Sequence, residues 1–246
     1  MSEGQDSPGP GAEAEHCPGH ASESLDDRPY YIVPPCHEPV RTLYRDACLH
    51  VVEKPTLLLS IPGRGPENRD SVAHRLQQEE PETRVVHRLD LDTSGVMVFA
   101  IGIASQRVLN KAFAEREVEK EYLAVVDGLM EEDEGEITLP IAPDWPNRPR
   151  QRICFERGKQ ALTRYQVLSR DTDNDSTRLC LRPVTGRSHQ LRIHLREIGH
   201  AILGCDLYAP PDVLARSPRL LLHASKLGFV HPVTREWLSF SSPAPF

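Results

Sequence analysis

The sequence predicts an α+β fold built on one large mixed, mostly antiparallel sheet. Strand-like apolar segments outnumber helical ones, and the two kinds do not alternate as they do in parallel α/β proteins. Hydrophobic residues make up 39% and charged residues 26% of the chain, which is ordinary globular composition. The 246 residues can bury a sizeable core in one large domain or two small ones, and no internal repeat is visible.

The first predicted elements lie between residues 48 and 80. Residues 48–55, CLHVVEKP, are typical of a strand that stops at Pro55, because proline has no N–H for the ladder. After a loop, Asp70 or Ser71 is expected to cap a short helix that runs through Glu80.

Two further helices are predicted from apolar spacing. Residues 105–116 have apolar positions at helical intervals, and residues 185–199 end at Gly199, a typical helix stop. The remaining strands are predicted at 96–101, 121–128, 136–142, 161–170, 177–184, 220–232 and 236–240.

The chain divides by charge into an acidic tail and a neutral body. Residues 1–40 hold eight acids and one base, so 28 acids and 28 bases remain for residues 41–246 out of 36 and 29 in all. Residues 1–39 are therefore predicted to be a disordered tail with an extended lead-in. Residues 40–246 are predicted to be the folded domain.

Composition also excludes several classes of protein. The chain has no apolar run of the ~20 residues that a membrane helix needs, and its first residues do not resemble a signal peptide. The six cysteines are scattered without a C-x-x-C pair, which argues against a zinc ribbon or disulfide framework and favours the reducing cytoplasm. The spacing of His189, His194 and His200 does not match a metal site, and ordinary hydrogen-bonded or surface histidines are the expected alternative.

A dense polar segment, HRLDLDTSG at 87–95, separates two apolar stretches and is predicted to be an active-site loop. The HRLD sequence is shared in part with the kinase catalytic loop, but the other kinase signatures and a P-loop are missing. No serine stands in a G-x-S-x-G turn, so a serine hydrolase is not expected either.

The segment 87–95 resembles the H-R-L-D-x-x-T-S-G signature of the RluA family of pseudouridine synthases. Further signatures of that family follow in order: KEY at 120–122, GRSHQLRIH at 186–194, GHAILGCDLY at 199–208 and LLHA at 221–224. PGRGPENRDSV and DWPNRPRQR resemble the short family members that act on both 23S rRNA and tRNA. The resemblance covers residue 40 to the C-terminus. It implies the pseudouridine synthase catalytic fold without an S4 domain.

The resemblance assigns roles to four residues. Asp90 matches the essential aspartate, which acts on uridine either as a nucleophile or by removing a ribose proton; the sequence leaves both routes open. Arg192 matches its expected ion-pair partner, and Tyr122 matches the tyrosine that packs on the target base. Arg88 matches the arginine that occupies the space vacated when the base is flipped. Asp92 is expected to be solvated, and Gly95 to adopt a positive φ.

Basic residues supply the expected RNA-binding surface. Residues 144–164 carry a net charge of +4, which by itself could be a solvated surface. Next to the DWPNRP match, phosphate contact is the preferred interpretation. The candidate RNA-binding residues are Arg148, Arg150, Arg152 and Arg187, together with Arg88.

The resemblance implies an RNA isomerase that acts as a cytoplasmic monomer on stem-loops of 23S rRNA and on the tRNA anticodon loop. The reaction gains and loses no atoms, so no metal, nucleotide or redox cofactor and no membrane is expected. The alternative is a non-catalytic RNA-binding or folding factor that keeps the fold. One departure concerns the family pattern G-H-P-I-x-G-D, because this chain has Ala201 for the proline and Cys205 for the aspartate, with Asp206 one residue out of register.

Overall fold

The computed structural model describes residues 31–246. The predicted tail at residues 1–30 lies outside the described residues, so the predicted division at residue 40 stays a prediction. Residues 31–40 contain no helix or strand. They contact the body, since Val33 N donates to Asn68 Oδ1 (2.8 Å) and the Arg75 guanidinium donates to the carbonyl oxygen of Glu38 (2.6 Å).

Ten strands form one sheet. Eight of them follow the order β1-β2-β4-β11-β5-β10-β9-β6, while β12 pairs with β11 and β3 pairs with β4; β7 and β8 form a separate two-stranded sheet. The strands are β1 Arg41–Arg45, β2 Leu49–Lys54, β3 Thr83–Val85, β4 Ser94–Ile101, β5 Glu119–Asp127, β6 Glu134–Thr138, β7 Ile141–Pro143, β8 Gln151–Ile153, β9 Leu162–Asp171, β10 Ser176–Pro183, β11 Leu222–Val230 and β12 Trp237–Ser241.

The large sheet is mixed and mostly antiparallel, as predicted. Among the pairs of strands in residues 31–246, β4 and β11 are parallel and all others are antiparallel. The sequence SGVMVFAI of β4 is buried along nearly its whole length, which explains its continuous apolar character.

Four α-helices accompany the sheet in the described part of the chain: α1 Val72–Glu79, α2 Ile103–Glu115, α3 Gln190–Glu197 and α4 Pro211–Ala215. Ser71 caps α1 as predicted, because its side chain accepts a hydrogen bond from His74 N (3.2 Å). Helix α2 begins two residues before its predicted start. Helix α4 was not predicted.

The predicted helix at 185–199 was too long. Residues 185–189 form a loop, because the side-chain oxygen of Gln190 accepts hydrogen bonds from Thr185 Oγ1 (2.7 Å) and Arg187 N (3.0 Å). His189, with φ 53°, has a left-handed conformation at the start of α3. The helix is therefore confined to Gln190–Glu197.

The predicted strand at 136–142 is interrupted. It divides into β6 and β7 at Leu139 and Pro140, and proline cannot donate to a ladder. Strands β1 and β8 were not predicted; β8 has only three residues, too few to show a period. Strand β3 ends at Val85, in the apolar stretch before the polar loop that was expected to be a strand.

Two apolar clusters meet beside the polar loop. One contains Leu179, Leu181, Ile193 and Leu195, and the other contains Val52, Leu76, Met97 and Phe99. Tyr122 packs against both clusters. This junction places one polar aromatic residue of β5 next to the loop between β3 and β4.

Candidate active site

The predicted active-site loop joins two paired strands. It spans residues 86–93, between the end of β3 at Val85 and the start of β4 at Ser94. A hydrogen bond of 3.2 Å from Thr93 N to the carbonyl oxygen of Asp90 closes a turn within it. Because β3 and β4 both pair within the sheet, the loop begins and ends at fixed points.

Three side chains from residues 54–60 hold the loop backbone by donating hydrogen bonds to its carbonyl oxygens. The bonds run from Lys54 Nζ to Leu91 (2.9 Å), from Thr56 Oγ1 to Asp92 (2.8 Å) and from Ser60 Oγ to Leu89 (2.7 Å). Sequence analysis missed these three residues, because each bond joins positions 29 to 37 residues apart.

The start of β4 is held by the neighbouring parallel strand β11. Ser94 Oγ lies 2.8 Å from Nδ1 of the buried His223 and accepts a hydrogen bond from Arg219 Nη2 (2.6 Å). Gly95 has φ 120°, which confirms the predicted positive φ. A Cβ on Gly95 would lie 2.3 Å from the carbonyl oxygen of Ala224, so the close approach of β4 and β11 requires glycine here.

The register of the sheet brings Tyr122 to the level of this loop. Gly95 pairs with Ala224 in β11, Ala224 pairs with Tyr122 in β5, and Tyr122 pairs with Leu181 in β10. Burial, followed by the charge of Asp90, raises the pKa of the Tyr122 hydroxyl above its usual value. Tyr122 therefore keeps its proton at neutral pH.

Asp90 faces a histidine of the segment before α3. Its carboxylate is 29% exposed, and Oδ1 lies 3.9 Å from Nε2 of His189. Nδ1 of His189 lies 2.7 Å from the hydroxyl of Tyr208, which also accepts a hydrogen bond from Gln151 N at the start of β8 (2.8 Å). Burial lowers the pKa of His189, so the imidazole is neutral at pH 7. Sequence analysis treated His189 as an ordinary histidine and missed this contact.

Arg192 has partners other than the predicted one. Its side chain is 2% exposed; Nη1 lies 3.6 Å from Asp92 Oδ2, and Nη2 donates a hydrogen bond to Asp206 Oδ1. Within the described residues no ion pair joins Arg192 to Asp90, so the expected direct contact is not present, although the two charges are close enough to interact.

The expectation that Asp92 is solvated was wrong. Its side chain is 19% exposed and faces Arg192. Burial raises the pKa of Asp92, and the nearby guanidinium of Arg192 opposes that shift. The pKa of Arg192 is raised, because Cys205 and Asp90 outweigh the opposing effect of burial.

His87 and Arg88 differ in exposure. His87 Nε2 accepts a hydrogen bond from Val98 N (3.1 Å), and the imidazole stacks on Phe113 with the ring centroids 4.7 Å apart. Burial lowers the pKa of His87 to about 3. Arg88 is exposed, so its side chain is available to a bound RNA.

Four of the five predicted RNA-binding arginines, all except Arg88, lie on or near the small sheet of β7 and β8. Arg148 and Arg150 are exposed, Arg152 is half-buried, and the Arg148 guanidinium lies 3.5 Å from the ring centroid of Trp145. Arg187 is exposed and donates to the carbonyl oxygen of Gln160 (3.3 Å).

One group in residues 31–246 has the composition of a metal site. Potential ligand atoms of Asp46, Cys48 and His231 lie within 4.8 Å of one another. Their hydrogen bonds are already made internally: His231 Nε2 contacts Asp46 Oδ2 (2.9 Å), and Nδ1 accepts from the backbone N of Val233 and Thr234. A metal on Nε2 would require a proton on Nδ1, where two N–H groups already point, so these residues do not fit a metal.

A family model described as RNA pseudouridylate synthase matches residues 49–197. The chain belongs to this family. The match includes the polar loop, Tyr122 and Arg192, and it confirms both the predicted isomerase class and the predicted fold.

Curated relatives extend the family match over most of the chain. The dual-specificity RNA pseudouridine synthase RluA of Pasteurella multocida is 50% identical over 213 residues, which are 87% of this chain and 97% of that protein. The protein of the same name from Escherichia coli K12 is 48% identical over 204 residues, which are 83% of this chain and 93% of that protein.

Solved structures agree with the fold. Human RNA pseudouridylate synthase domain containing 1 has a TM-score of 0.71 and 28% identity, covering 87% of this chain and 86% of that one. Human RNA pseudouridylate synthase domain containing 4 has a TM-score of 0.66 and 26% identity over 83% of this chain and 88% of that one. The elements of residues 31–246 match this catalytic fold, and none of them forms an S4 domain.

Membrane insertion through a helix finds no support in the described residues, because none of their helices combines the length and apolarity that a span requires.

Proposed function

We propose that this pseudouridine synthase is a dual-specificity enzyme that isomerises uridines in stem-loops of 23S rRNA and in the anticodon loop of tRNA. The two bacterial relatives carry the dual-specificity name, and this chain covers 97% and 93% of their lengths. The observation that carries the proposal is the arrangement of Asp90, a partly exposed carboxylate, beside the neutral, half-buried Tyr122.

Asp90 provides the reactive carboxylate. The reaction breaks the N1–C1′ bond of uridine and joins C5 of the same base to C1′. The C5 hydrogen leaves as a proton and N1 gains a proton, so the composition is unchanged. A carboxylate supports this by attacking C1′ or by removing a ribose proton. The hydrogen bonds from Lys54 and Ser60 to the loop backbone keep Asp90 in place in either route.

Tyr122 supports the base that Asp90 acts on. Its ring offers a stacking surface, and a stacked base gains about 1–3 kcal/mol. Because Tyr122 keeps its hydroxyl proton, it adds no negative charge next to Asp90. Arg192 supplies positive charge near both aspartates of the loop, and the exposed Arg88 is positioned to fill the space that the flipped uridine leaves.

The β7–β8 sheet supplies contacts to the RNA backbone. Arg148 and Arg150 are exposed, and Gln151 N is bonded to the Tyr208 hydroxyl, whose other partner is His189 beside Asp90. A phosphate bound at this sheet is thereby linked to the catalytic loop through two hydrogen-bonded side chains. Arg152 and Arg187 extend the same basic surface. Recognition then depends on the shape of the RNA stem-loop and on flipped bases.

The enzyme is proposed to act as a cytoplasmic monomer without a metal or nucleotide cofactor. The chemistry is an isomerisation in which no electron pair is transferred to an external acceptor. The groups assigned above are side chains of the chain itself.

Tritium release from RNA with uridine tritiated at C5 tests the proposal. The substrates are a tRNA anticodon stem-loop and a 23S rRNA hairpin, and the variants are Asp90→Asn and the exposed control Asp173→Asn. We expect release from both RNAs by wild type and Asp173→Asn, and no release by Asp90→Asn with binding retained. Release from one RNA alone would contradict dual specificity. Binding of both RNAs by wild type without release would favour the non-catalytic RNA-binding factor.

A further inference from the structure

The guanidinium of Arg192 contacts two consecutive residues of the loop before α4. Nε donates to Sγ of Cys205 (3.3 Å), and Nη2 donates to Oδ1 of Asp206. Cys205 is completely buried, whereas the Asp206 side chain is 56% exposed. Asp206 therefore reaches from the surface to a buried cation.

These two contacts differ in electrostatic strength. A thiol sulfur is a weak hydrogen-bond acceptor, whereas a carboxylate is a strong acceptor and also balances the charge of a guanidinium. The other groups that face Arg192 are Asp90, Asp92, the neutral His189 and the ring of Tyr208, whose centroid lies 5.5 Å from the guanidinium carbon. Asp92 is 3.6 Å away, beyond normal hydrogen-bond length, so Asp206 makes the direct charged hydrogen bond.

The backbone of this loop is fixed. Leu203 N donates to the carbonyl oxygen of Val125 (3.0 Å), and Leu221 N donates to that of Leu203 (3.0 Å). Gly204 has φ 70°, and a Cβ there would lie 2.0 Å from the carbonyl oxygen of Arg219. The loop cannot slide by one residue, so the identity of residues 205 and 206 decides what Arg192 contacts.

We propose that Asp206 is a positioning residue that holds Arg192 beside the catalytic loop, in place of a carboxylate at position 205. The family pattern has aspartate where this chain has Cys205, and Cys205 Sγ already lies at hydrogen-bond distance from Nε. In this chain the carboxylate stands one residue later, at the partly exposed Asp206, and it contacts Nη2 instead of Nε. This inference rests on the proposed function.

The first test removes the carboxylate and then returns it one residue earlier. The variants are Asp206→Asn, the double variant Cys205→Asp/Asp206→Asn, and Asp212→Asn, at an exposed aspartate of α4, as the matched control. Rates come from single-turnover tritium release with the anticodon stem-loop at several enzyme concentrations. We expect Asp206→Asn to lower the maximal rate by about 10-fold to 100-fold while half-saturation changes little. The double variant should recover most of this loss, and Asp212→Asn should stay near wild type.

Thermal unfolding separates positioning from stability. If the double variant regains the wild-type melting temperature but not the rate, or if Asp206→Asn keeps the wild-type rate, the proposal is wrong. If the melting temperature of the double variant is below that of Asp206→Asn, Asp206→Glu replaces the double variant as the test of a restored carboxylate. A glutamate variant no faster than the asparagine variant overturns the proposal.

A thermodynamic cycle checks the contact without any turnover. The melting temperature should fall less on Asp206→Asn in an Arg192→Met background than in wild type, because the guanidinium is already absent. Equal falls in both backgrounds would show that Asp206 does not act through Arg192. If wild type releases no tritium, both the proposed function and the positioning role are wrong. If wild type is active and Asp206→Asn is equally active, only the positioning role is wrong.

Discussion

Lys54 Nζ donates a hydrogen bond of 2.9 Å to the carbonyl oxygen of Leu91, from a side chain with no exposed surface. Leu91 lies between Asp90 and Asp92, so a buried ammonium holds the segment that carries both carboxylates. Its second bond goes to the carbonyl oxygen of Pro55 (2.8 Å). Burial lowers the pKa of Lys54 to about 7, and the charges of Asp92 and Asp90 oppose this shift.

The buried Lys54 should make the unfolding free energy increase as the pH rises above 7. Between pH 7 and 10.5 the unfolded lysine holds a proton that the folded one has lost, so the folded state gains stability as the pH rises. Below pH 7, Lys54 is protonated in both the folded and the unfolded state, so its contribution to the unfolding free energy no longer changes with pH. Relative to Lys54→Met, the unfolding free energy of wild type should rise by up to about 1.4 kcal/mol per pH unit above pH 7. Urea titrations on both sides of pH 7 measure this, and parallel curves for the two proteins would contradict it.

The buried His87 should make the unfolding free energy fall at acidic pH. Its pKa is about 3 when folded and 6.5 when unfolded, so the unfolded state binds a proton first as the pH falls. The contribution is complete above pH 6.5 and is lost progressively toward pH 3. His87→Gln, which keeps an acceptor for Val98 N, should show a shallower loss of unfolding free energy over this range. Equal acid sensitivity of the two proteins in denaturant titrations would argue against a buried neutral His87.

Gly95 cannot be replaced without moving a strand. A Cβ there would lie 2.3 Å from the carbonyl oxygen of Ala224, in backbone that cannot yield alone. We expect Gly95→Ala to lose more than about 3 kcal/mol of unfolding free energy. Gly102→Ala is the control, because Gly102 also has a positive φ but has nothing within 4 Å of its Cβ position; it should lose only about 1 kcal/mol. Similar losses would mean that the close approach of β4 and β11 is unimportant.

Tyr122→Phe separates the ring of Tyr122 from its hydroxyl. The phenylalanine keeps the stacking surface, so RNA affinity should be retained. The isomerisation rate should fall by about 10²-fold to 10⁴-fold, because no hydroxyl is left to transfer a proton. Tyr122→Leu should in addition lose about 1–3 kcal/mol of binding free energy. Tyr165→Phe, in β9, serves as the control. A Tyr122→Phe enzyme with the wild-type rate would restrict the residue to stacking.

Arg148 and Arg150 should govern the salt dependence of RNA binding. Removing one phosphate contact lowers the slope of log affinity against log salt concentration by roughly 1. We expect Arg148→Ala and Arg150→Ala each to reduce the slope and weaken binding of both RNAs alike. Lys111→Ala, exposed on α2, should leave the slope unchanged. Unchanged slopes in both arginine variants would remove the β7–β8 sheet from the RNA-binding surface.

Long elements could be predicted from sequence because their burial is periodic or continuous. Strand β4 is buried along nearly its whole length, and the start of α1 follows from a capping residue, predicted to be Asp70 or Ser71 and found to be Ser71. The start of α3 was misjudged because it depends on the Gln190 side chain, whose partner Thr163 lies 27 residues away. The helix propensities of residues 185–189 give no indication of that hydrogen bond.

The polar loop could be predicted as a candidate site because its residues are contiguous in the sequence. The residues around it were missed because they come from distant segments. Asp90, Tyr122 and Arg192 lie in segments that resemble family signatures. Lys54 could not be identified, since a lysine at the end of a strand is ordinarily solvated. Asp92 was expected in solvent because nothing local indicates that α3 packs against the loop.

The parallel pairing of β4 with β11 has a consequence for biosynthesis. Ser94 and His223, which meet at this pair, are 129 positions apart in the chain. The loop carrying Asp90 is therefore anchored only after nearly all of the polypeptide has left the ribosome, and contacts of such long separation form slowly. A nascent chain that has already exposed Asp90, Tyr122 and the basic β7–β8 sheet still lacks β11. Newly made protein therefore lacks a fixed Asp90 loop until its last strands have folded.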